Sequence, residues 1–216
     1  MANVIKLSKG LNINLKGKAK GEKMQAPQST EFAVSPSDFP GVIPKLSVKE
    51  GDKVLAGESL FFNKAYPDVK FASPVSGTVS AVVRGDRRKI LFLKVQAANH
   101  HQYHDFGTAD PTAMDAAAVK AKILEAGLFG YINQMPYAVS TTPDTTPDGI
   151  FISALRDMPL AGDFEMELKG NEQAFQTGLT ALSRIPTVHI GTGAYQTSPP
   201  LTDVKEVDLN FFDRPC

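Results

Sequence analysis

The residues with the greatest chemical reach lie in one run, Gly127-Leu128-Phe129-Gly130-Tyr131-Ile132-Asn133-Gln134-Met135-Pro136-Tyr137, with Arg156 further along the chain. Phe129, Tyr131 and Tyr137 offer flat rings that pack against a flat apolar molecule, and Asn133, Gln134 and Arg156 carry N–H donors for carbonyl oxygens. Together they suit a planar ligand with two carbonyl groups. The aromatics could equally fill space between elements and touch no ligand, and the sequence leaves both readings open. His100, His101 and His104 have a spacing at which imidazoles share zinc. No helix is indicated there, Pro111 follows soon after and no cysteine completes the set, so a solvated linker is expected. Gly191-Thr192-Gly193 after a strand has the look of a dinucleotide-binding turn, but it lacks the third glycine and no clear helix follows. Ser, His and acidic residues show no nucleophile-elbow context.

Two kinds of periodicity surround these residues. Up to about residue 100 the period is two, the signature of strands. Val48-Lys49-Glu50-Gly51-Asp52-Lys53-Val54-Leu55-Ala56-Gly57-Glu58-Ser59-Leu60 and Ala72-Ser73-Pro74-Val75-Ser76-Gly77-Thr78-Val79 each read as strand, tight turn, strand. Two such halves suit a small β-sandwich. Ala81-Val82-Val83 and Ile90 to Val95 predict a strand pair across Arg84-Gly85-Asp86-Arg87-Arg88-Lys89, a charged and solvated turn. Val4, Ile5, Leu7, Leu11, Ile13 and Leu15 mark an N-terminal strand region.

From about residue 110 the period lengthens towards four. Asp115 can cap a helix whose inward face is Val119, Ile123 and Leu124, and Gly127 supplies its left-handed stop. Phe151 to Leu155 predicts a short buried strand, Phe175, Leu179 and Leu182 a helix ending near Arg184, and Thr187 to Ile190 a further strand. Strand, helix, strand is a βαβ unit and predicts a parallel sheet. The fold class expected is therefore a β barrel-sandwich module over residues 1–100 and an α/β domain over 101–216.

The chain has 216 residues, enough for one large domain or two small ones. Lys plus Arg and Asp plus Glu each number 23, so there is no basic field of the kind that binds nucleic acid. The one cysteine, Cys216, leaves no internal disulfide and no multi-cysteine metal or iron-sulfur site on this chain. No apolar run approaches the roughly 18 residues needed to cross a bilayer. Glu206 to Phe212 reads as a strand just before the last residue, and this predicts a fragment of a longer protein.

Lys9-Gly10-Leu11-Asn12-Ile13, the hairpin halves from Val48 to Leu60 and from Ser73 to Val79, Glu125-Ala126-Gly127-Leu128-Phe129 and Met135-Pro136-Tyr137 occur in one order. Ile150 to Ala161, Ala174-Phe175 and Gly178 to Arg184 continue it. In that order the chain resembles the NqrA family of the sodium-translocating NADH:quinone oxidoreductase (NQR). The resemblance implies a peripheral scaffold subunit on the cytoplasmic face of the bacterial inner membrane. It would dock on the other subunits of a membrane complex, meet the membrane only through them, and possess no redox centre of its own. NADH, FAD, FMN and iron-sulfur centres would belong to those other subunits, and the planar ligand suited to residues 129–137 and Arg156 would be quinone.

The second half is also distantly similar to the flavin-binding subunit of the proton-pumping NADH dehydrogenase and to the related Rnf subunit. Those relatives cradle FMN in a glycine-rich stretch, whereas only Gly127 and Gly130 remain here. The resemblance therefore implies a shell that has lost its FMN site, the alternative being a flavin-binding electron-transfer subunit. A second alternative is a lipoyl- or biotinyl-type carrier, to whose modified lysine Lys64 in Phe62-Asn63-Lys64-Ala65 is similar. Lys64 is expected early in a longer connection containing Tyr66-Pro67-Asp68, away from a hairpin tip.

Overall fold

The computed structural model describes residues 3–9, 16–17, 20–155, 158 and 161–213. In chain order they form β1 (Asn3–Ile5), β2 (Glu31–Val34), β3 (Pro44–Leu46), β4 (Lys53–Val54), β5 (Ser59–Asn63), β6 (Tyr66–Ala72), β7 (Gly77–Arg84) and β8 (Ile90–Ala97). There follow α1 (Ala116–Glu125), β9 (Asn133–Gln134), β10 (Val139–Ser140), β11 (Gly149–Ser153), α2 (Phe164–Leu168), α3 (Glu172–Leu182), β12 (Thr187–Gly193), α4 (Pro199–Thr202) and β13 (Asp208–Phe212). Their contacts sort into two compact units, which do not follow a single cut near residue 100. One unit comprises Ala26–Thr108 with Lys120–Thr146, the other Met1–Gln25, Ala109–Val119 and Pro147–Cys216.

The first unit holds three antiparallel sheets, ordered β2-β8-β7-β4, β3-β5-β6 and the short pair β9-β10. Alternation along the strands turns Val69, Phe71, Val79, Leu93 and Val95 inward, all at most 1% exposed. A register shift in β5 lets the consecutive Leu60 and Phe61 both face the interior, as a bulge re-aims side chains. The rings of Phe61 and Phe71 stack at 4.5 Å, and Phe39 tilts against Phe71 at 4.3 Å. Each such burial contributes on the order of 1.5–3 kcal/mol.

The second unit is built on a parallel sheet ordered β1-β13-β12-β11. Ala154, Leu168, Ile190 and Leu201 form its core, with Ile152, Phe175 and Leu209 packed around them. The N-terminal strand, expected within the β module, pairs with β13 of this sheet, Asn3 opposite Asn210. Leu11, Ile13 and Leu15 lie outside the described residues. The strand expected to be buried at Phe151 to Leu155 is buried on one face only. Ile152 points to the core, whereas Phe151 is 79% exposed and stacks on His189 at 4.9 Å.

Candidate functional site

The aromatic and amide run begins where α1 stops. Asp115 Oδ1 accepts the Ala118 N–H at 2.8 Å, so the expected N-terminal cap is present. At the other end the Gly127 N–H donates to the Leu124 carbonyl and the Leu128 N–H to the Ile123 carbonyl, both at 3.1 Å, with Gly127 at φ 68°. This pair of bonds across a left-handed residue closes the helix and favours glycine. A single 3-10 turn, Phe129–Tyr131, then leads into the short antiparallel pair β9–β10, with Gln134 opposite Val139 and Asn133 opposite Ser140.

Within that hairpin the candidates have different fates. Phe129 is buried in the β-module core, and the Lys120 ammonium lies 5.8 Å from its ring centroid. Tyr131 leans edge-on against Phe39 at 5.0 Å with more than half its surface exposed. Burial of part of the ring, and then the charge of Asp38, raise its hydroxyl above the ordinary tyrosine value. Asn133 and Gln134 are exposed, and Tyr137 is 81% exposed at the tip beside Met135. Arg156 lies outside the described residues. Tyr131, Asn133, Gln134 and Tyr137 are thus solvent-facing along the turn and hairpin, while Phe129, which precedes them, is buried in the core.

At Gly130 the backbone runs against a core ring. A Cβ on residue 130 would lie 2.4 Å from Cε1 of Phe71, so the missing side chain here makes room for packing. The Gly130 carbonyl accepts the buried Ser140 hydroxyl at 2.8 Å. The two glycines left from the flavin-type stretch, Gly127 and Gly130, therefore sit against strand β6 of the β module. Asp144, in the loop after β10, accepts the Tyr66 hydroxyl at 3.0 Å and a hydrogen bond from Thr142; the Thr142 bond and then the Tyr66 bond hold its carboxyl below the usual value.

Three other sequence candidates resolve as follows. Gly191-Thr192-Gly193 is the end of strand β12, paired with β13 through Phe212, and not a turn. His104 packs edge-on against Phe106 at 4.6 Å, and among the described residues no group of three His, Cys, Asp or Glu could hold a metal ion. Lys64 departs from expectation. β6 starts already at Tyr66, so Lys64-Ala65 is the two-residue tip of a tight hairpin and Pro67 is a strand residue.

Sequence reasoning missed an open groove of about 590 Å³ in the second unit, bordered by Asp110, Thr112, Glu172, Gln176, Thr177 and Thr180. Its polar groups are already engaged locally: Asp110 with Thr112, Glu172 with the Gly170 amide, Gln176 with Lys205.

Residues 5–98 match the model of the NqrA N-terminal barrel-sandwich hybrid domain, and residues 114–216 the model of the NqrA second alpha/beta domain. The chain belongs to the NqrA family. Both expected fold classes, the barrel-sandwich hybrid and the α/β domain, are those of NqrA. The NqrA protein of the Na(+)-translocating NADH-quinone reductase of Cellvibrio japonicus is 33% identical over 184 residues, covering 84% of this chain and 41% of its own. Its counterparts of the same name from Yersinia pestis and Pasteurella multocida are 30% and 29% identical, each covering 98% of this chain and 48% of their own. The chain spans about half the length of the NqrA relatives it matches. No helix among the described residues is long and apolar enough to cross a membrane.

Proposed function

We propose that the chain supplies the scaffold part of a peripheral subunit of a sodium-pumping NADH:quinone reductase, on the cytoplasmic face of a bacterial inner membrane. It carries no redox centre and is not catalytic alone. It docks on the other subunits, which hold NADH, FAD, FMN and the iron-sulfur centres. The quinone enters against the β9–β10 hairpin, where Tyr131 and Tyr137 offer ring faces and Asn133 or Gln134 donates to a carbonyl oxygen. The observation that carries this reading is the exposure of those four side chains along the turn and hairpin that follow the buried Phe129. Photo-crosslinking of the assembled complex with a quinone analogue, followed by peptide mapping, tests it. Label in residues 131–137 is expected; label confined to other subunits removes the quinone role and leaves docking.

A second reading gains from the position of Lys64. A lysine at the tip of a tight hairpin in a barrel-sandwich module is where a carrier lysine would be reached by a modifying enzyme. Intact-mass measurement of natively expressed protein decides it, since a lipoyl or biotinyl adduct on Lys64 would replace scaffold by carrier.

A further inference from the structure

The turn between β7 and β8 gathers four cations, Arg84, Arg87, Arg88 and Lys89, around a single acid, Asp86. The Lys89 N–H donates to the Asp86 carbonyl at 3.1 Å and the Gly85 N–H to the Lys89 carbonyl at 2.8 Å, so Arg87 and Arg88 are the central pair of a tight hairpin turn. Both have left-handed backbones, φ 52° and 61°. That geometry is the one Asn-Gly adopts with least strain, because Gly has no Cβ and Asn tolerates the region. Two adjacent arginines are among the least comfortable residues for it, and strain of this kind marks places where side-chain chemistry outweighs local stability.

The side chains are exposed, and among the described residues no carboxylate forms an ion pair with any of the four. Arg84 donates to the Arg88 carbonyl at 3.1 Å. The acids reaching β7 from other segments stop short of the turn: Glu50 accepts the Val82 amide at 2.8 Å and Glu31 the Ser80 hydroxyl at 3.0 Å. The whole chain is formally neutral, yet screening confines electrostatics to about 10 Å at 0.1 M salt. An approaching surface therefore feels the net positive tip and not the balanced total.

We propose that this turn is a direct contact with anionic phospholipid headgroups, Arg84, Arg87, Arg88 and Lys89 pairing with their phosphates. Planar guanidinium forks match phosphate oxygens closely. A protruding two-residue turn suits a flat layer of phosphates, whereas capture of an acidic peptide calls for a groove. Phe92, opposite Val83 beside the turn, keeps 43% of its surface exposed, apolar area of the kind that settles at the headgroup boundary. This adds a direct membrane contact to a subunit otherwise expected to reach the bilayer through its partners, and it stands independently of the quinone site.

Sedimentation of the 216-residue chain with phosphatidylcholine vesicles, with and without phosphatidylglycerol, at low and physiological salt, tests the proposal. Binding is expected only with phosphatidylglycerol, weakening as salt rises. The double variant Arg87→Asn/Arg88→Gly should bind about 25-fold more weakly, at about fivefold per cation, while melting at the same or a higher temperature because the turn is relieved. Absence of wild-type binding, equal binding to both vesicle types, or undiminished binding by the variant overturns it. So does preference for polyglutamate over phosphatidylglycerol vesicles, which would assign the tip to an acidic protein partner.

Discussion

The ring of Phe71 occupies the space into which a side chain on residue 130 would grow: a Cβ there would sit 2.4 Å from Cε1 and 2.5 Å from Cζ. Phe71 is itself fully buried and stacked on Phe61, so it has little room to yield. Gly130→Ala should therefore destabilise the chain by about 1–3 kcal/mol, the usual range for overpacking a filled core. Phe71→Leu in the same molecule should recover part of that loss. Urea denaturation of the two single variants and the double variant measures the coupling, and strictly additive effects would mean that the two positions do not meet.

Phe129 and Tyr137 belong to the same run of sequence but do different work. Phe129→Ala empties a space in the β-module core and should cost about 3–5 kcal/mol. Tyr137→Ala removes a ring that is 81% exposed and should change stability by less than about 0.5 kcal/mol. On the proposed function the order reverses for ligand: Tyr137→Ala should cut photolabelling of the hairpin by the quinone analogue in a complex of normal stability. Unchanged labelling would take Tyr137 out of the quinone contact.

How much of the fold and the site was legible in the sequence depends on whether the signal was local. The Asp115 cap, the Gly127 stop, helix α3 under Phe175 and Leu179, and the β7–β8 pair follow from spacing and short-range backbone chemistry. Partners far along the chain were not readable, because alternation marks Asn3–Ile5 as extended without saying that β13 will receive it. Pro67 misled for a specific reason. It reads as a loop residue, yet β6 is an edge strand paired only with β5, and an edge strand tolerates a missing N–H. That shifts Lys64 from a long connection to a hairpin tip. For Phe129 against Tyr137, residue type gave no discrimination, since either ring could have been the buried one.

Asp144 ties the loop behind the candidate hairpin to Tyr66. Hydrogen bonds from Thr142 and then Tyr66 place its folded carboxyl pKa below the ordinary 3.8. A depressed carboxylate pKa stabilises the fold above the unfolded value, and that contribution is lost as pH falls through the lowered folded value. The loop should thus stay fastened above about pH 4 and loosen below it. With no tryptophan in the chain, tyrosine fluorescence, to which Tyr66 is one of five contributors, reports the change. Asp144→Asn should remove this transition, and an identical acid titration in the variant would assign it to another carboxylate.

The parallel sheet gives the sharpest contrast between its two faces. Ile190 is fully buried against Ala154, Leu168 and Leu201, so Ile190→Ala should cost about 2–5 kcal/mol. Phe151 sits one strand away on the opposite face, where its ring meets His189, and His189 in turn lies 3.5 Å from Asp208. An exposed stack of this sort contributes only about 0.5–1.5 kcal/mol beyond area burial. Phe151→Ala should therefore lower the denaturation midpoint far less than Ile190→Ala, although a phenylalanine in a core costs at least as much to truncate as an isoleucine. Equal losses, measured by denaturant titration of this chain, would mean that the Phe151 face is covered in solution and that the sheet is buried on both sides, as parallel sheets commonly are.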